Sequence, residues 1–294
     1  GCHAADGGAG RCQQPRHSAL VDALKPTVVL VPQPAPQEAP LTTCAPPLQP
    51  RQRFLRDLLA ATGNALRGRR WFGWREVLQH IDETGPRSMP IVALTCGLVG
   101  LMLAYMGGAQ LGRIGAQTYV ADIVTVGMVR ELAGLMTGII LAGRVSATFA
   151  AHLGAMTANE EIDALKVFGI DPIGYLVLPR LIALMVVFPF LMAFGAVVGM
   201  LAGWVPAVLS YGANSTEYVA HSLRAINFTH VSIGGFKGLL YAVLLALAGC
   251  REGLNAGRSA QAVGIATTRA VVLALVWIVA AACASTVVFT LLGY

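Results

Sequence analysis

The sequence is poor in charge. Only 12% of its 294 residues are Asp, Glu, Lys or Arg, against roughly 25% in soluble domains. That leaves too little polar surface to coat a soluble globule, and a mean hydropathy of +0.64 points the same way. A cysteine framework is also missing. Six Cys are present, but no C-x-x-C occurs and no His stands at metal-ligand spacing, which argues against a zinc or redox centre. Cys96, Cys250 and Cys283 fall in apolar runs and read as small buried hydrophobes, while Cys2, Cys12 and Cys44 fall in an irregular leader. There is no G-x-x-x-x-G-K-[ST]. Gly107-Gly108 and Gly234-Gly235 lack the lysine and hydroxyl that hold phosphates. No nucleophile–base pair marks a membrane enzyme acting on lipids. The chain opens on Gly1 without the basic start and short apolar core of a signal peptide, as a fragment or processed product would.

What is present is apolar length. Residues 88–112, 181–209 and 270–294 are uncharged for 25, 29 and 25 residues, each beyond the ~20 needed to cross ~30 Å of hydrocarbon. Two further spans are interrupted: 119–147 holds Asp122, Arg130 and Glu131, and 231–250 holds Lys237. The expected fold is therefore all-α, an integral membrane protein of five transmembrane helices. With the N-terminus inside, the inner segments carry fourteen Lys and Arg: eight over 51–87, then Arg144, Lys166 and Arg180, then Arg251, Arg258 and Arg269. Outside stand Arg113 and Arg224, with Lys237 near that side. The asymmetry predicts a cytoplasmic N-terminus and an extracytoplasmic C-terminus. It also accounts for the net charge of +6 without nucleic acid. Gly195-x-x-x-Gly199-x-x-x-Gly203 offers close helix packing, and Pro189 is placed to kink the third span.

Ahead of the spans, residues 1–50 form a Pro-rich leader or linker, with seven prolines between Pro32 and Pro50. Residues 51–75 interleave Arg with Phe, Leu and Trp, and Leu55, Leu58, Leu59 and Leu66 keep helical spacing. That pattern fits an amphipathic helix in the membrane interface, or a solvated helix packed on the rest of the protein.

Between the second and third spans lies NEEIDALKVFGIDP, residues 159–172. Thr157-x-x-Glu160 reads as a capping box, Gly169 as a helix stop and Asp171-Pro172 as a block to continuation. Ile162, Leu165 and Phe168 share one face, while Glu160, Glu161 and Asp163 point elsewhere. The expected element is a short amphipathic cytoplasmic helix whose charged face meets water or a partner protein.

These residues carry a resemblance. Residues 158–165, Gly169-Ile170-Asp171-Pro172 and Leu178-Pro179-Arg180 resemble the MlaE (YrbE) family of ABC-transporter permeases of MCE-type lipid transport systems. Val129-Arg130-Glu131-Leu132, Leu141-Ala142-Gly143-Arg144 and Ala266-Thr267-Thr268-Arg269 match in order. The likeness covers 51–294 as a permease domain; residues 1–50 fit the remnant of the STAS-like domain that some members carry. It implies a lipid-transporting permease of the bacterial inner membrane, paired as a dimer with a second copy of itself, with an ATPase subunit and an extracytoplasmic MCE protein as partners. It implies no cofactor in this chain, ATP and Mg being held by the ATPase. Glu160, Glu161, Asp163, Leu165, Phe168, Gly169, Asp171 and Pro172 would form the ATPase-coupling helix, with Leu165 and Phe168 as anchors and the acids setting register against basic groups. Related sequences often have a basic residue where Ile265 stands, so no role is carried to that position.

Arg130 and Glu131 stand thirteen to fourteen residues before Arg144, about 20 Å into the membrane. Their helical offset of about 100° keeps them from simply neutralising each other. Lys237 is the expected partner of Glu131. Two readings stay open: Arg130, Glu131 and Lys237 line a cavity for a lipid head group, or they form an interhelical ion pair that fixes packing. Asp122 reads as a solvated helix-start residue, and His152 and His230 as having no visible partner. An ion-coupled secondary transporter or channel working through Asp122, Glu131 or Lys237 is the rival function, although the spans show no clear inverted repeat.

Overall fold

The computed structural model of the protein describes residues 74–212 and 214–293. The expected leader over 1–50, and all but the last two residues of the expected interfacial segment, lie outside the described residues. Within them all regular structure is helical, and five stretches are long and apolar enough to cross a membrane. Over the described residues the protein is an all-α membrane protein with five spans.

The first span joins α1 (Trp74–Thr84) to α2 (Met89–Gly112) through a 3₁₀ turn at Pro86–Ser88. The second runs α3 (Val120–Gly127), a π-turn (Met128–Leu132), α4 (Ala133–Leu141), a π-turn (Ala142–Ser146) and α5 (Ala147–Ala158). The short helix α6 (Glu161–Val167) follows. A π-turn (Ile173–Val177) then leads into α7 (Leu178–Leu209), the third span, which stays one helix through Pro189 and Pro206. Helix α8 (Ser215–Ala225) connects to the fourth span, α9 (Phe228–Leu254), and α10 (Ala260–Leu291) is the fifth.

The expected glycine seam forms. α2 lies against α7 so closely that a Cβ on Gly100 would strike the backbone of Gly199. A Cβ on Gly195 would come within 2.8 Å of Cys96 Sγ. Between lipid-solvated helices no hydrophobic force is left to gain, so close backbone packing supplies the attraction.

Two boundaries differ from the sequence expectation. The second span continues past Arg144 to Ala158 because a charge need not end a helix whose neighbours satisfy it. Arg144 donates to the Arg87 carbonyl, and to Ser88 Oγ at 3.2 Å. The fifth span starts at Ala260, where Ser259 Oγ accepts from the Ala262 amide at 3.1 Å. Helix α8 was not expected at all. Its sequence signal is Asn214, whose Oδ1 accepts from the Thr216 amide at 3.2 Å. Tyr218 then fixes α8 to α7 by donating to the Met200 carbonyl at 3.1 Å.

Candidate functional site

The charged site inside the membrane is built on the π-turn at Met128–Leu132. A π-turn widens the helix by one residue and is often found at functional positions. Gly234 lets α9 lie directly on this turn, since a Cβ there would collide with the Val129 carbonyl. Lys237, three residues on, is 1% exposed. Its ammonium donates to Glu131 Oε1 at 2.5 Å and to Thr286 Oγ1 at 3.0 Å. Thr286 Oγ1 also donates to Glu131 Oε2 at 3.2 Å, and the Phe289 ring centre lies 5.8 Å from Lys237 Nζ. The expected Glu131–Lys237 pair is therefore present. Arg130 Nε also reaches Glu131 Oε1 at 3.6 Å despite the angular offset, so Glu131 is shared between Arg130 and Lys237 rather than simply neutralised by its neighbour. Burying this many charges is tolerable only because each meets an opposite charge or a hydroxyl.

Sequence reasoning did not find Thr286 or Phe289. Thr286 is a lone hydroxyl in an apolar run, and nothing local says which neighbour it meets. Beside this network α9 and α10 part to leave an apolar groove of about 640 Å³. Phe236 and Phe289 stand at one end, Trp277 and Leu244 along its walls, and Arg251 at the other end.

The second candidate site is α6. The capping box does not form. The second span runs straight through Thr157, whose hydroxyl bonds back to the Leu153 carbonyl at 2.9 Å. Glu160 instead takes the left-handed conformation, φ 62°, and turns the chain. At the other end Gly169 has φ 75°. Its amide bonds to the Lys166 carbonyl and that of Ile170 to the Leu165 carbonyl, both at 3.0 Å, the paired bonds of a Schellman stop. Asp171 is spent on structure: its carboxylate accepts from the Ile173 and Gly174 amides at 3.2 and 3.1 Å, capping the third span just after Pro172.

The apolar face of α6 is divided, contrary to expectation. Ile162 is buried and Leu165 packs on the core, so Leu165 faces inward. Phe168 and Val167 stand 79% and 86% exposed. The acids divide too. Arg258, from the loop before α10, holds Glu160 Oε1 and Asp163 Oδ2, each at 3.1 Å. Lys166 holds Asp163 Oδ1 at 3.0 Å. The Lys166 ammonium beside it, with Arg258 adding, keeps the Asp163 carboxyl below the usual carboxylate range. Glu161 is left on the surface, bonded to Asn159 at 3.2 Å.

Two histidine and aspartate expectations also change. His152 has a partner, Arg180 Nη2 at 3.0 Å from its Nδ1. Arg180 is buried and lies 5.6 Å from the centre of the Phe149 ring. Asp122 does start a helix, but its carboxylate meets His221 Nδ1 at 3.3 Å.

Residues 77–288 match the family Permease MlaE. The chain belongs to the MlaE permease family. Among its relatives, a probable ABC transporter permease protein of Synechocystis is 35% identical over 201 residues, 68% of this chain and 76% of that protein. One from Rickettsia typhi is 34% identical over 196 residues, 67% and 76%. The chloroplast protein TRIGALACTOSYLDIACYLGLYCEROL 1 of Arabidopsis thaliana is 32% identical over 205 residues, 70% and 59%. The permease is thus a non-enzymatic subunit of an ABC transporter and works with an ATPase partner.

Proposed function

We propose that this permease moves phospholipid or a related lipid between a bacterial inner membrane and an extracytoplasmic MCE-type protein. The observation that carries the reading is the Arg130–Glu131–Lys237 network beside an apolar groove. A lipid needs both: a cation for its phosphate and apolar walls for its chains. A relative named for trigalactosyldiacylglycerol, a glycolipid, supports the substrate class. Both cations are paired with Glu131, but Arg130 is the more accessible of the two, so it draws the phosphate while the buried Lys237 fixes the geometry. ATP and Mg are held by the ATPase, which docks on Val167, Phe168 and Glu161 of α6. Two permease copies enclose the path, and ATP-driven closure changes its affinity for lipid. The N-terminus is cytoplasmic and the C-terminus extracytoplasmic.

A second reading has its own observation. The same network is satisfied within one chain, as a packing brace would be. Arg130→Ala separates the two. Transport predicts that purified Arg130→Ala protein retains less phospholipid by mass spectrometry at unchanged thermal stability; a fall in stability alone assigns the network to packing.

A further inference from the structure

Arg258 ties α6 to the fifth span in a way the docking role of α6 does not require. Its guanidinium places Nη1 on Glu160 and Nη2 on Asp163, each at 3.1 Å. A planar fork can hold two acids one turn apart; a lysine offers a single point charge. Arg258 directly precedes Ser259, the residue that caps α10, so any pull on its side chain acts at the head of the fifth span.

The neighbouring loop is seated hard. A Cβ on Gly253 would lie 2.8 Å from Leu153 Cβ, and one on Gly154 would lie 3.2 Å from Ala256 Cβ. Thus the end of α5 and the loop after α9 form a fixed floor, with α6 and the head of α10 joined above it. The fifth span is also the less buried of the two that wall the groove: 17% of its most apolar stretch is buried, against 56% for the fourth. Exposed ion pairs contribute little to stability, so loss of the two-acid clasp should leave the fold intact and be read in transmission.

We propose that Arg258 is the positioning residue that passes displacement of α6 to α10, opening or closing the groove when the ATPase moves. This rests on α6 being the ATPase-docking helix. The test uses the complete transporter in nanodiscs of phosphatidylethanolamine and phosphatidylglycerol. Arg258→Ala should keep its ATPase subunit yet lose lipid stimulation of ATP turnover by about fivefold or more. Arg258→Lys should recover part of it, and the exchange Arg258→Asp with Asp163→Arg more. Spin labels at Val288 and Leu201 should report an ATP-driven distance change in the unmodified chain and a reduced one in Arg258→Ala. Unchanged stimulation and movement in Arg258→Ala overturn the clasp, as does loss of the ATPase from that variant alone. Failure of the unmodified chain to retain any ATPase overturns the docking reading instead.

Discussion

Lys237 shows how a single side chain fixes two helices. Its ammonium is fully enclosed by Glu131, Thr286 and Phe289. Lys237→Met leaves Glu131 with only the longer Arg130 contact at 3.6 Å, and breaking a buried pair costs up to about 3–5 kcal/mol. The expected outcome is a clearly lower thermal midpoint in detergent, with Glu131→Gln in the same chain restoring most of it. Tyr218 makes a pH prediction outside the spans. Burial raises its hydroxyl to about 12, so the folded state favours the neutral form. The stability it lends is complete below the ordinary value near 10 and is lost as pH rises towards 12. Tyrosinate absorbance should show a component that titrates well above pH 10 and disappears in Tyr218→Phe. Asp163 runs the other way: its folded value is depressed, so its contribution holds above about pH 4 and is lost only on further acidification. Its clasp with Arg258 should therefore persist at pH 5.5, measured by the spin-label distance.

Helix α6 is the element on which the function turns. Its stop is the most constrained part: Gly169 at φ 75° accommodates no Cβ without strain, and Gly169→Ala should cost about 1–2 kcal/mol locally, read as faster hydrogen exchange of the Ile170 amide. Its exposed tip carries the contact. Phe168→Ser should weaken ATPase retention by tenfold or more, the size of an aromatic anchor lost from an interface, measured by co-purification and titration with the ATPase. The helix, its stop and the block at Asp171-Pro172 were legible in the sequence, because each depends on residues a few positions apart. Its cap was not. Whether Thr157 caps α6 or continues α5 is decided by packing on Gly253, about a hundred residues away. The pairing of Glu160 and Asp163 with Arg258 was hidden for the same reason.

At the scale of the whole molecule, five spans and a glycine seam follow from composition and period alone, since a bilayer sets length and small residues set approach. The groove, α8 and the three π-turns follow from how helices meet, which no local pattern records. The proposed orientation makes a direct prediction. Val167→Cys should react with a membrane-impermeant maleimide only from the cytoplasmic side, and Thr216→Cys only from outside. Native Cys96 and Cys250 are buried and should stay silent, but Cys283, expected to be buried, is exposed, so the labelling uses a chain with Cys2, Cys12, Cys44 and Cys283 replaced by Ser. The seam between the first and third spans leaves no gap for a foreign molecule, whereas the fourth and fifth spans leave one. A blocking compound would therefore wedge there, would be greasy and slender, and would be evaded by bulk: Ala284→Phe, by filling the slot, should confer resistance that no change along the glycine seam can match.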